Sequence, residues 1–147
     1  MKTIKLPYYK ETVDLHIDEA NLKAVVTAKM HEYKAAKGEA ELVEDALDNP
    51  IGSKTLTELA VGKKNIVIVT SDHTRAVPSK ITLPILLRRI REGNPDADIT
   101  ILIATGLHRP TTEEEQRKMF GDTIVDNEKI VANDAFKIGR ASCRERV

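Results

Sequence analysis

Two apolar runs, Asn65 to Thr70 (NIVIVT) and Ile99 to Ala104 (ITILIA), constrain this chain most tightly. Neither alternates with polar residues. That is the pattern of a strand buried on both faces, as in a parallel sheet. Between them, Ser79 to Arg91 has helical spacing, with Ile81, Ile85, Leu86 and Ile90 predicted to point inward. Pro84 lies near the start of this helix, where a missing amide hydrogen matters least. Gly93-Asn94-Pro95 ends it. A further helix is predicted over Thr111 to Phe120, where Thr112 and Glu115 have capping-box spacing, and a short strand over Lys129 to Ala132. This strand–helix order predicts an α/β fold, a Rossmann-like parallel sheet with right-handed crossover helices.

The first half is less regular. Thr3 to Leu6 and Thr12 to Ile17 alternate in part and predict an N-terminal β-hairpin across Pro7 to Lys10. Asn21 to Tyr33 has Leu22, Val25, Val26 and Met30 spaced for one helical face, and Gly38 breaks the pattern. Glu39 to Leu47 predicts a helix stopping before Asn49-Pro50. Ser53 is placed to cap another, with Leu56, Leu59 and Ala60 as its stripe and Gly62 at its end.

In a parallel α/β sheet, ligands bind beyond the carboxyl ends of the strands. Two loops fall there, Ser71-Asp72-His73-Thr74-Arg75-Ala76-Val77-Pro78 and Thr105-Gly106-Leu107-His108-Arg109-Pro110. If their strands are neighbours, Asp72, His73, Arg75, His108 and Arg109 converge on one crevice. Arg75 suits a carboxylate in a bidentate fork, or equally a local pair with Asp72. His108 suits a general acid or base, or a plain surface position. His73 reads as structural, and Gly106 as a turn or a close approach to a ligand. His16 and His31 read as surface residues. Glu113-Glu114-Glu115 complements a helix dipole more simply than it binds metal. No zinc-ligand spacing, GxGxxG or GxxxxGK[ST] motif is present.

A formal net charge of +0 gives no global field that would favour nucleic acid or an anionic membrane. The opening MKTIKLPYYKE lacks the apolar core of a signal peptide, and no segment approaches the roughly 20 apolar residues of a membrane helix. The lone Cys143 forms no internal disulfide. Together these predict a cytoplasmic protein without membrane or nucleic-acid partners. Residues 138–147 resemble one reading frame of a sequencing adapter and are read as a non-native tail. Without Arg140, Arg144, Arg146 and Glu145 the body keeps 20 basic and 22 acidic residues.

SDHTRAVPSK and ATGLHRPTTEEE together resemble the nickel-pincer lactate racemase family, as do LPYYKETV, LDNPIGS and PILLRRIR. The likeness covers residues 1–137, taken as the first part of that family's N-terminal domain. Ala76 stands where the family usually has proline, which removes no functional group. The resemblance implies interconversion of D- and L-lactate by hydride transfer to and from a nickel-pincer nucleotide (a pyridinium-3,5-bisthiocarboxylic acid mononucleotide carrying nickel). It implies His108 as the catalytic base for one face and Arg75 as the substrate-carboxylate ligand. It also implies that Asp72 and Thr74 organise the cofactor and pocket. The family's second histidine, cofactor lysine and nickel-binding histidine have no counterpart in this sequence, so no metal ligand is assigned. The domain is expected to be incomplete and the chain by itself inactive. Two alternatives stay open: a sister racemase or epimerase for malate or another 2-hydroxy acid, and a non-enzymatic module binding an anion or nucleotide. Neither the substrate among hydroxy acids nor the oligomeric state is legible.

Overall fold

The computed structural model describes residues 1–134. The tail reading for residues 138–147 therefore lies outside the described residues. The chain divides into two compact units, one of Met1–Ala36 and one from Lys37 onward.

The first unit holds β1 (Lys2–Tyr8) and β2 (Glu11–Ile17), paired antiparallel with Leu6 opposite Val13 and Tyr8 opposite Glu11. The hairpin is as the sequence predicts, with a tighter turn, Tyr9-Lys10, and longer strands. Thr3 and His16 hydrogen-bond across it at 2.9 Å. The helix expected over Asn21 to Tyr33 is absent. Two short 3-10 turns, Glu19–Asn21 and Lys29–Glu32, flank irregular backbone, and Val25, Val26 and Met30 are exposed. The Asp18 side chain accepts from the Ala20 amide and closes the first turn. The adjacent β-branched Val25-Val26-Thr27 disfavours a helix that buries no stripe.

The second unit holds α1 (Glu39–Asp48), α2 (Leu56–Ala60), β3 (Asn65–Ser71), α3 (Ser79–Gly93), β4 (Asp98–Ala104), α4 (Glu113–Phe120), α5 (Asp122–Asn127) and β5 (Lys129–Ala132). Thr55, not Ser53, caps α2, in a reciprocal capping box with Glu58. A side-chain acceptor belongs on the residue directly before the first turn, and α2 begins at Leu56, three residues after Ser53. Thr112 and Glu115 form the second capping box, at α4, as their spacing predicts. Helix α5 was not foreseen.

The sheet is parallel in the order β3-β4-β5, with Ile68 beside Ile101 and Ile101 beside Ile130. Right-handed crossovers that run one way across a sheet put their helices on one face. That face is the core: Ile99, Ile101 and Ile103 of β4 pack with Leu83, Leu87 and Ile90 of α3, Phe120 of α4 and Ile124 of α5. Each such buried side chain stabilises the fold by about 1.5–3 kcal/mol. The inward stripe of α3 is thus Leu83, Leu87 and Ile90, with Ile81, Ile85 and Leu86 only half-buried. NIVIVT also departs from the two-sided burial expected of it. Val67 and Val69 are 57% and 61% exposed, because no described element of this unit covers the second face.

Contacts between helices brace this unit. Arg89 holds Glu44 and Asp48 of α1, each at 2.7 Å, and Arg88 bridges Glu44 and Glu92. Helix α2 lies so close to the end of α3 that a Cβ at Gly93 would sit 2.1 Å from the Thr57 carbonyl oxygen. Among the described residues no helix is long and apolar enough to cross a membrane.

Candidate active site

Strands β3 and β4 end in register, Ser71 beside Ala104, so the loops that follow them leave the same edge of the sheet. The two loops are joined directly. Asp72 is buried, only 2% exposed, and its Oδ2 lies 2.5 Å from His108 Nδ1. Its Oδ1 accepts from the Thr74 amide at 3.0 Å and from the Thr74 hydroxyl at 2.6 Å. The amide bond makes an Asx turn, the conformation aspartate readily imposes on the residues after it. The Arg75 amide then donates to the Asp72 carbonyl at 3.3 Å, which tightens the turn.

Burial alone would raise the Asp72 pKa. The Thr74 hydroxyl, the His108 imidazole and the Thr74 amide outweigh it and bring the carboxyl down to about 2. Asp72 is therefore an anion across the physiological range, with both oxygens engaged. The local pair of Arg75 with Asp72 is not formed. Asp72 pairs with Thr74 and His108, and the exposed Arg75 guanidinium makes no hydrogen bond or ion pair among the described residues.

On the second loop, the His108 amide donates to the Thr105 carbonyl at 3.0 Å across a turn whose Gly106 has φ +57. The left-handed backbone at Gly106 is one that side chains rarely adopt, which accounts for glycine at this turn. The His108 side chain is half-exposed.

Arg109 takes its side-chain partner from α4. It forks onto Glu115 with bonds of 2.9 and 2.7 Å. The Arg109 guanidinium, with the Thr112 amide, holds the Glu115 carboxyl well below the usual range. His73 lies 3.4 Å from the Thr111 hydroxyl and 3.8 Å from Glu115. Of the five polar residues expected to converge, the structure joins Asp72 to His108, places Arg75 on the same loop as Asp72, and turns Arg109 and His73 toward α4.

Sequence reasoning missed a third participant at this edge. The chain after β5 is drawn in by the Thr105 hydroxyl, which donates to the Asn133 carbonyl at 2.8 Å, and by the Asn133 amide, which donates to the Ile103 carbonyl at 2.9 Å. Thr105 and Asn133 are both buried. A polar residue directly after each strand is the signal that could have found them. Among the described residues no group of three or more His, Cys, Asp or Glu is placed to hold a metal ion.

The lactate racemase N-terminal domain family matches residues 8–142. The chain belongs to that family. Among its relatives is the lactate racemase of Lactiplantibacillus plantarum, 53% identical over 131 residues, which cover 89% of this chain and 31% of that protein. Another is the lactate racemase of Thermoanaerobacterium thermosaccharolyticum, 47% identical over 135 residues, covering 92% and 32%. The solved apoprotein structure from that second organism superposes with a TM-score of 0.80 over 90% of this chain and 30% of the other, at 47% identity. This lactate racemase family member thus spans about a third of the length of the curated relatives it matches.

Proposed function

We propose that this chain supplies one half of the substrate site of a lactate racemase. The observation that carries the reading is the bond between His108 and Asp72, which unites the two strand-end loops and leaves Arg75 beside them without a partner among the described residues. Arg75 binds the lactate carboxylate, since an unpaired guanidinium matches a small carboxylate in a two-point fork. His108 takes the proton of the 2-hydroxyl and returns it, as an imidazole nitrogen can both accept and donate. Asp72 and Thr74 organise the pocket around it.

The resemblance to the nickel-pincer family supplies the cofactor part of the reading. When bound, that nucleotide provides the hydride acceptor and donor for C2. The described residues fit the substrate side of such a site and hold no metal ligand set. The substrate is a small 2-hydroxy acid, and lactate is favoured by the relatives' names.

The test is a chimera in which residues 1–137 replace the matching third of the Lactiplantibacillus plantarum enzyme, assayed for D- to L-lactate conversion and on a panel of other 2-hydroxy acids. Activity on lactate is expected. His108→Ala should lower turnover by about 10²–10⁴-fold, the range of a lost general base. Arg75→Ala should mainly raise KM. Unchanged turnover with His108→Ala would leave the crevice as a binding module, and a preference for malate would move the substrate.

A further inference from the structure

We propose that Asp72 is a positioning residue that holds neutral His108 in its Nδ1–H tautomer and so presents a bare Nε2 to the substrate hydroxyl. This rests on the reading of His108 as the base and adds to it which nitrogen works and what fixes it.

The argument begins with the carboxylate. Oδ1 is occupied by two donors from Thr74, one of them a backbone amide whose direction is fixed by the turn. Oδ2 is left for a single partner, His108 Nδ1 at 2.5 Å. An ionised carboxylate only accepts, so Nδ1 must carry the hydrogen, and a neutral ring then has its lone pair on Nε2. An imidazole free in water favours the opposite tautomer, with the hydrogen on Nε2. The preference must therefore come from Asp72.

The carboxylate is buried while the imidazole is half-exposed, so the bond anchors the ring on its inner side and turns Nε2 outward. The anchored aspartate also sits against any imidazolium formed. When the substrate O–H breaks, its proton joins Nε2, the electron pair stays on the substrate oxygen, and the new positive charge lies beside a fixed anion. The burial of Asp72 leaves that attraction less screened than between two exposed groups. Asp72 needs no contact with substrate or cofactor to act in this way.

Two measurements test this. In the purified 147-residue chain, labelled with ¹⁵N at histidine, the four histidine signals are sorted with a His108→Gln variant. In alkaline buffer, His108 is expected to show a protonated Nδ1 and an unprotonated Nε2. In Asp72→Asn the populations should move toward Nε2–H. An Nε2–H ring or an even mixture in the unsubstituted chain overturns the proposal, and that measurement needs no variant to fold.

In the chimera, Asp72→Asn is expected to lower kcat by about 10²–10⁴-fold with KM within about threefold, whereas disordering of the pocket would raise KM as well. Unchanged kcat in Asp72→Asn, alongside a large loss in His108→Ala, overturns the positioning role and keeps His108 as base. No loss in either variant overturns the base itself.

Discussion

Gly93 gives the sharpest stability prediction. It is the last residue of α3 and its backbone does not need glycine, so alanine would ordinarily be favoured there by about 0.5–1 kcal/mol. The neighbouring helix reverses the sign. An added Cβ would lie 2.1 Å from the Thr57 carbonyl oxygen and 2.9 Å from its carbon. To reach 3.0 Å, the lower limit of real contacts, α2 and α3 must part by about 0.9 Å. The obstacle is backbone and cannot rotate away. Parting the helices also strains the bonds from the Thr57 hydroxyl to the Arg89 carbonyl and from the Asn94 side chain to the Ala60 carbonyl. Overpacking of this kind costs about 1–3 kcal/mol, more than the helical gain. Gly93→Ala should therefore be destabilising, with a Tm lower by about 2–10 °C for a chain of this size. Urea and thermal unfolding of the two proteins read it directly. Glu92→Ala, one residue earlier and exposed, should stay within about 0.5 kcal/mol. A Gly93→Ala protein as stable as its parent, or more so, would refute the close approach of the two helices.

The Asp72 carboxyl, at about 2 when folded, is depressed relative to the roughly 3.9 of an unfolded chain, so its ionisation stabilises the fold above pH 4 and that contribution fades as the pH falls through 2. The stability gap between the parent and Asp72→Asn should thus be constant above about pH 5 and narrow below pH 4 in acid-unfolding curves. A gap that persists undiminished at pH 2 would contradict this. The one-sided sheet makes a paired prediction. Val69→Lys, on the open face, should change stability by less than about 1 kcal/mol, while Ile101→Lys, 0% exposed, should abolish cooperative unfolding in circular dichroism. Equal damage from both would mean that the valine face is covered.

The sheet was legible because its signal is strong: β-branched runs, a helix between them and breakers at each end. Strand–helix order then left few topologies to consider. What spacing could not decide was which of several apolar stripes would be used. Helix α3 is apolar at Ile81, Leu83, Ile85, Leu86, Leu87 and Ile90, and only its packing on β4 selects Leu83, Leu87 and Ile90. The segment from Leu22 to Met30 failed for the opposite reason, since its regular apolar spacing is met by no described element of its own unit and leaves Val25, Val26 and Met30 exposed. At the candidate site, the loops and their residue types were legible and the pairings were not. Asp72 and His108 lie 36 positions apart, and Arg109 was claimed by Glu115, whose capping role alone was visible in the sequence.

The loop carrying His108 is pinned on both sides, by the buried Asp72 before it in space and by the Arg109–Glu115 fork directly after it in sequence. Ordering a flexible loop at the moment of binding would weaken affinity by roughly 0.5–1.5 kcal/mol for each side chain immobilised. Here that ordering belongs to folding. In the proposed role of this loop, an arriving ligand meets an imidazole already aimed, and its attraction to the site is left for discriminating one small acid from another.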